Sequence, residues 1–114
     1  MKRRKIIALM LTVLVMVSTC VMNVSAKEYE TDNGKHKFNK AWEVSKRFGN
    51  EKKFVYGFNT IAIDEDYAHS NLKYSQAYLV NANGKFRANA NLHSKWSKIE
   101  VTHKGNVVLY GVKY

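Results

Sequence analysis

A chain of 114 residues with a formal net charge of +10 and one cysteine has the size of a single domain, and it cannot be held by an internal disulfide. It contains no G-x-S-x-G, no Gly-rich phosphate loop and no pair of cysteines for a zinc site, so the sequence reads as a non-enzymatic protein without a metal or other cofactor.

The first residues, Met1-Lys2-Arg3-Arg4-Lys5, are a positive n-region. Ile6 to Met22 is strongly apolar, and Val24-Ser25-Ala26 is a small-residue cleavage site. This pattern predicts a secretory signal peptide over residues 1–26, cleaved before Lys27, and an extracellular protein. Two other readings of the same stretch are an uncleaved signal anchor and a lipoprotein acylated on Cys20. Val17-Ser18-Thr19 before that cysteine is a poor lipobox.

Cleavage leaves Lys27 to Tyr114, with fifteen of the nineteen Lys and Arg and all nine acids, a net charge of +6. The cysteine leaves with the signal. All fourteen aromatic residues remain (seven Tyr, five Phe, two Trp), and large rings dominate core burial. Such a domain must be held by its core or by self-association into a homodimer.

Lys27 to Lys53 is polar and broken by Asp32-Asn33-Gly34 and Gly49-Asn50. Its one periodic stretch, Lys40 to Phe48, suits a short helix or a strand through Trp42 and Val44. The segment is expected to be a leader or an accessory element. Phe54 to Ile63 reads as a strand, with Phe54, Tyr56 and Phe58 on one parity and Ile61 and Ile63 on the other. A bulge or bend at Asn59-Thr60 accounts for the switch. Asp64-Glu65-Asp66 reads as a solvated acidic turn.

Tyr67 to Ile99 carries two alternating runs around Ala82-Asn83-Gly84 and predicts a β-hairpin. Two registers compete. A two-residue loop on Asn83-Gly84 sets Leu79 beside Ala88. A three-residue loop with Gly84 left-handed sets Val80 opposite Phe86 and Tyr78 opposite Ala88. Hydrophobic matching favours the second, since a one-residue slip exchanges the faces. It predicts a core face of Tyr74, Tyr78, Val80, Phe86, Ala88, Ala90 and Leu92. The outer face then holds Lys73, Lys85, Arg87, Asn89, Asn91 and His93.

Trp96 to Thr102 follows as a strand with Ile99 and Val101 inward. After the turn His103-Lys104-Gly105-Asn106, a last strand carries Val108, Tyr110, Val112 and Tyr114 on one face. Five or six short strands with regular turns and no proline predict an all-β fold, a small antiparallel β-sandwich over residues 54–114.

The basic charge is the main functional signal. Export argues against nucleic acid and for phosphates of the cell envelope. The candidate binding residues are Lys73, Lys85, Arg87, Asn91 and His93, since Arg and Lys beside amides offer several donors to a pyrophosphate. The aromatic ends at Trp96 and Tyr110 are the surfaces to examine next. His36, His69, His93 and His103 have no helical metal-ligand spacing and read as scattered surface residues.

Several short motifs occur in a recognisable order: Phe54-Val55-Tyr56-Gly57, Tyr67-Ala68-His69, Lys73 leading into Ser75-Gln76-Ala77-Tyr78-Leu79-Val80-Asn81, Asn83-Gly84-Lys85, Trp96-Ser97-Lys98, and a final aromatic strand through Tyr110 and Tyr114. Over Phe54 to Tyr114 the chain resembles the lactococcin 972 family of bacteriocins. Phe54 stands where the family usually has Trp, and Lys27–Lys53 has no counterpart. The resemblance implies a sandwich of two three-stranded antiparallel sheets. It also implies a secreted, non-pore-forming protein that self-associates and binds lipid II, the lipid-linked peptidoglycan precursor. Such a protein blocks septum formation in related Gram-positive bacteria and is accompanied by a cognate membrane immunity or transporter protein. The competing expectation is a non-toxic secreted module that binds another anionic envelope component or has a structural role.

Overall fold

The computed structural model describes residues 27–92 and 95–114. The readings of the N-terminal stretch concern residues 1–26, outside the described residues, and His93 also lies outside them. The described residues form eight strands and no helix: β1 Glu28–Asp32, β2 Trp42–Gly49, β3 Lys52–Asn59, β4 Glu65–Ser70, β5 Gln76–Asn81, β6 Gly84–Arg87, β7 Ser97–Thr102 and β8 Leu109–Lys113. Two four-stranded antiparallel sheets result, in the orders β1-β8-β5-β6 and β2-β3-β4-β7. The fold is an all-β sandwich, with the expected six strands, β3 to β8, in its C-terminal part and two more before them.

The first two strands come from Lys27–Lys53, which supplies edge elements of the fold. β1 pairs with β8 and β2 with β3, so the segment adds one strand to an edge of each sheet. Strands β3 to β8 alone make two three-stranded sheets. Of the two readings of Lys40 to Phe48, the strand is the one that forms. Trp42 and Val44 pack on the core, and Glu43 and Ser45 face water.

The core is aromatic. Phe54, Tyr56, Phe58, Tyr110, Val108 and Val112 are buried, as the alternation of β3 and β8 predicts. Ile99 and Val101 pack against them from β7. Tyr110 lies with its ring centroid 4.9 Å from Tyr56 and 5.8 Å from Trp42, while Phe54 stacks on Tyr56 at 5.4 Å. Each such pair adds about 0.5–1.5 kcal/mol beyond burial, which is how a domain without a disulfide is held. Polar pins join the sheets. The Ser97 hydroxyl accepts from Ala77 N–H and donates to Asn89 carbonyl, and Asn81 Nδ2 donates to Asp66 Oδ2 and to Thr102 carbonyl.

The expected hairpin differs in two ways. Tyr67 to Asn81 is not one arm, because β4 and β5 lie in different sheets, joined by a turn over residues 71–75. Tyr74 sits in that turn with φ +57° and is exposed rather than in the core. The β5–β6 loop holds two residues, Ala82 and Asn83, between paired Asn81 and Gly84. Asn81 Oδ1 accepts from Asn83 N–H at 2.8 Å, an Asx turn that fixes the reversal there. Leu79 consequently pairs with Phe86, and Val80 with Lys85. Ala77 and Leu79 face the core, and Tyr78 and Val80 do not. The parity of β6 is as expected, with Phe86 half-buried and Arg87 exposed.

Ile61 and Ile63 are not strand residues. β3 ends at Asn59, and both isoleucines lie exposed in the loop to β4, Ile61 at 91%. Asp64-Glu65-Asp66 is not a wholly solvated turn, because β4 begins at Glu65 and Asp66 is completely buried.

Candidate functional site

Four loops meet at one end of the sandwich: β1–β2, β3–β4, β5–β6 and β7–β8. Backbone and side-chain hydrogen bonds bind them together. His103 N–H donates to Asp64 carbonyl, Ala82 N–H to Lys104 carbonyl, and Val108 N–H to Asn33 Oδ1. Asn33 is buried and also donates from Nδ2 to His36 carbonyl at 2.7 Å, which folds the β1–β2 loop back on itself. The Asp32 carboxylate accepts from Gly34 N–H at 2.8 Å, the expected use of an Asp-Asn-Gly turn.

Two of these loops, β1–β2 and β7–β8, line an open cavity of about 560 Å³, within the range of small-molecule sites. Lys35, His36, Lys37, Asn106 and His103 line it, together with Val107. His103 is held from three sides. Its Nδ1 lies 2.9 and 3.0 Å from the two Asp66 carboxylate oxygens. Its ring stacks on Phe38 at 4.1 Å and meets the edge of Phe58 at 5.1 Å. With Nδ1 committed to Asp66, Nε2 is the ring nitrogen left for a ligand. Burial pushes the Asp66 carboxyl above the usual carboxylate range, opposed by the hydrogen bonds from Asn81 and His103. His36 is fixed by stacking on Trp42 at 4.2 Å, the two planes within 9°. Lys35, Lys37, the Asn106 amide and two oriented imidazoles around one cavity suit a phosphate or pyrophosphate, with donors from several directions; the one carboxylate in the lining, Asp32, is held by Gly34 N–H.

The residues predicted from sequence do not assemble into one site. Lys85 and Arg87 share the outer side of β6, as expected. The face is not uniformly basic, however. The Lys85 ammonium lies 4.9 Å from the centre of the Tyr78 ring, and the Tyr78 hydroxyl donates to Glu28 and Glu30 of β1. Two carboxylates thus share the sheet face with the two cations. Lys73 is exposed in the β4–β5 turn, its ammonium 5.0 Å from the Tyr74 ring, and is not on the hairpin.

Asn91 is a correction. It is buried, not outward, and its side chain accepts from Ser75 N–H at 2.8 Å and donates to Leu72 and Lys95 carbonyls at 2.7 and 3.1 Å. It pins the β4–β5 turn to the β6–β7 connection and has no free donor for a ligand. Sequence reasoning missed the Asp66–His103 pair because its members lie on different strands of a sheet and share no local spacing. The one available signal was His103 opening a turn directly after a strand with inward-facing residues.

Protein-family models, curated proteins and solved structures contain no match to this chain. Among the described residues, no helix is long and apolar enough to cross a membrane.

Proposed function

We propose that this protein is a secreted antibacterial protein that binds a lipid-linked cell-wall precursor of related Gram-positive bacteria and thereby blocks septum formation. One observation carries the reading. The cation-lined cavity opens at the same end of the sandwich as the exposed apolar residues Ile61, Ile63 and Val107, the last of which lines it. A lipid-linked precursor has a pyrophosphate at the bilayer surface and an apolar tail below it. Lys35, Lys37, His36, Asn106 and His103 suit the first, and the exposed Ile and Val side chains suit the boundary with the second. The arrangement of β3 to β8 as two three-stranded antiparallel sheets supports the resemblance to the lactococcin 972 family. A homodimer paired along an open sheet edge and a membrane immunity or transporter partner belong to the same proposal.

The test uses purified protein, vesicles with and without a polyprenyl-pyrophosphate-linked sugar, and growth inhibition on a panel of related strains. Lys35→Glu with Lys37→Glu should lose both binding and killing. Lys85→Glu with Arg87→Glu should keep both, and the reverse result would move the site to the outer hairpin face. Binding without inhibition of any strain would make the protein a non-toxic envelope module.

A further inference from the structure

A second basic surface lies at the other end of β7, on the opposite side of the molecule from the cavity. His103 directly follows the last residue of this strand and Trp96 directly precedes the first. Three clefts of about 470, 330 and 300 Å³ meet at Trp96, which lines all of them. Their cations are Arg47, Lys52, Lys53, Lys95 and Lys98.

The sheet spaces these charges. Arg47 of β2 is paired with Lys53 of β3, and Val55, His69 and Lys98 form one row across β3, β4 and β7. Strands lie about 4.8 Å apart, so the three intervals of the sheet from β2 to β7 span roughly 14 Å. Two nearby carboxylates already have partners, since Glu43 accepts from the Tyr67 hydroxyl at 2.7 Å and Glu100 lies 3.2 Å from His69 Nε2. Glu51 is the remaining acid along the clefts. The Lys98 ammonium is 5.9 Å from the centre of the half-buried Trp96 ring, which sets a cation beside a flat apolar surface.

We infer that this groove binds an anionic glycan polymer, with a sugar ring stacked on Trp96 and the negative charges of neighbouring units on the flanking lysines and arginine. Its span fits several repeat units, whereas an isolated phosphate would use one or two of the cations. A single-stranded nucleic acid is the other polyanion that combines charge with stacking, but such grooves present a series of aromatic platforms, one per base. Among the described residues, Trp96 is the one Trp, Tyr or Phe ring lining the three clefts. The inference is independent of the cavity at the far end, and together the two sites would join a wall polymer to a membrane-bound ligand.

The experiment is calorimetric titration of the purified protein with a hexose-substituted poly(glycerol phosphate), with dextran, inorganic phosphate and a single-stranded oligonucleotide as comparators. The substituted polymer should bind most tightly, and its affinity should fall as salt rises. Lys95→Glu with Lys98→Glu should weaken it by about tenfold or more, as should Trp96→Ala, while Trp96→Tyr restores most of the loss. Thermal unfolding of each variant confirms that it is folded, and Trp96→Tyr against Trp96→Ala separates stacking from mere packing. Equal binding of dextran, tighter binding of the oligonucleotide, or unchanged affinity in the folded Lys95/Lys98 variant would overturn the assignment.

Discussion

Tyr78 lies across Gly111 of the neighbouring strand, and its hydroxyl reaches past that glycine to Glu30 on the strand beyond. The second sheet repeats the arrangement: Tyr67 covers Gly57 and donates to Glu43. In each sheet one cross-strand row therefore reads Glu, Gly, Tyr. The glycine is required because a tyrosine can bridge two strand spacings only if nothing stands between. Burial and the adjacent carboxylates push both phenols well above their usual range, so they remain donors. The glutamates belong to β1 and β2, so these rows tie the Lys27–Lys53 segment to the rest of the sandwich.

Gly111→Ala should destabilise the protein although its backbone conformation is open to any residue. A Cβ there would overlap the Tyr78 ring. Overpacking of this kind costs about 1–3 kcal/mol. Urea unfolding should show a clear loss for Gly111→Ala in the parent and a smaller cost of the same substitution in a Tyr78→Ala background. An equal cost in both backgrounds would place the cause elsewhere than the ring.

Gly84→Val should also destabilise, for a different reason. Gly84 has φ +133°, and only the Phe86 ring, 3.9 Å away, would be near an added Cβ. Space is available, but the backbone region excludes a β-branched residue, and holding one there costs about 1–3 kcal/mol. Gly84→Ala should be strained too, though less, and a thermal melt of both variants checks the order.

Asn91→Ala should unfold at lower urea than the parent, by about 1–3 kcal/mol, because the buried Ser75 N–H loses an acceptor and the carbonyls of Leu72 and Lys95 lose a donor. The folded variant should bind phosphate ligands as the parent does. Lost binding with undiminished stability would restore Asn91 as a ligand contact.

Where the pattern was local, the sequence could be read. The run into β8 alternates Val108, Tyr110, Val112, and all three are buried. β7 and the first six residues from Phe54 follow the same rule. The failures have non-local causes. β1 has only Tyr29 as a large apolar residue, and becomes a strand because β8 offers it an edge. The parity of β5 is opposite to the expected one because Tyr78 is buried on the outer side of its sheet, which depends on Gly111 far along the chain. Asp66 looked like a solvated acid among acids until Asn81 and His103 enclosed it. Lys85 and Arg87 were correctly set outward, but the carboxylates sharing their face come from β1, a strand the sequence had not announced.

The Asp66–His103 pair gives the stability a pH dependence with a definite sign. Asp66 is fully buried, and burial raises its carboxyl pKa above the ordinary value more than its hydrogen bonds lower it. A group whose folded pKa is raised favours the fold while protonated. Its contribution is complete below the unfolded carboxylate value, about pH 4, and is lost as pH rises through the folded one. Asp66→Asn has no such proton to lose and keeps an acceptor for His103. Relative to that variant, the parent should therefore lose stability as pH rises from about 4 toward 7. Asp66→Ala should be worse than both by about 1–3 kcal/mol, because His103 Nδ1 and one of the two Asn81 Nδ2 hydrogens would lose their shared acceptor. Urea midpoints for the three proteins across this pH range decide the matter. A parent that gains on Asp66→Asn as pH rises would show that the attraction between an ionised Asp66 and His103 outweighs the cost of burying the charge.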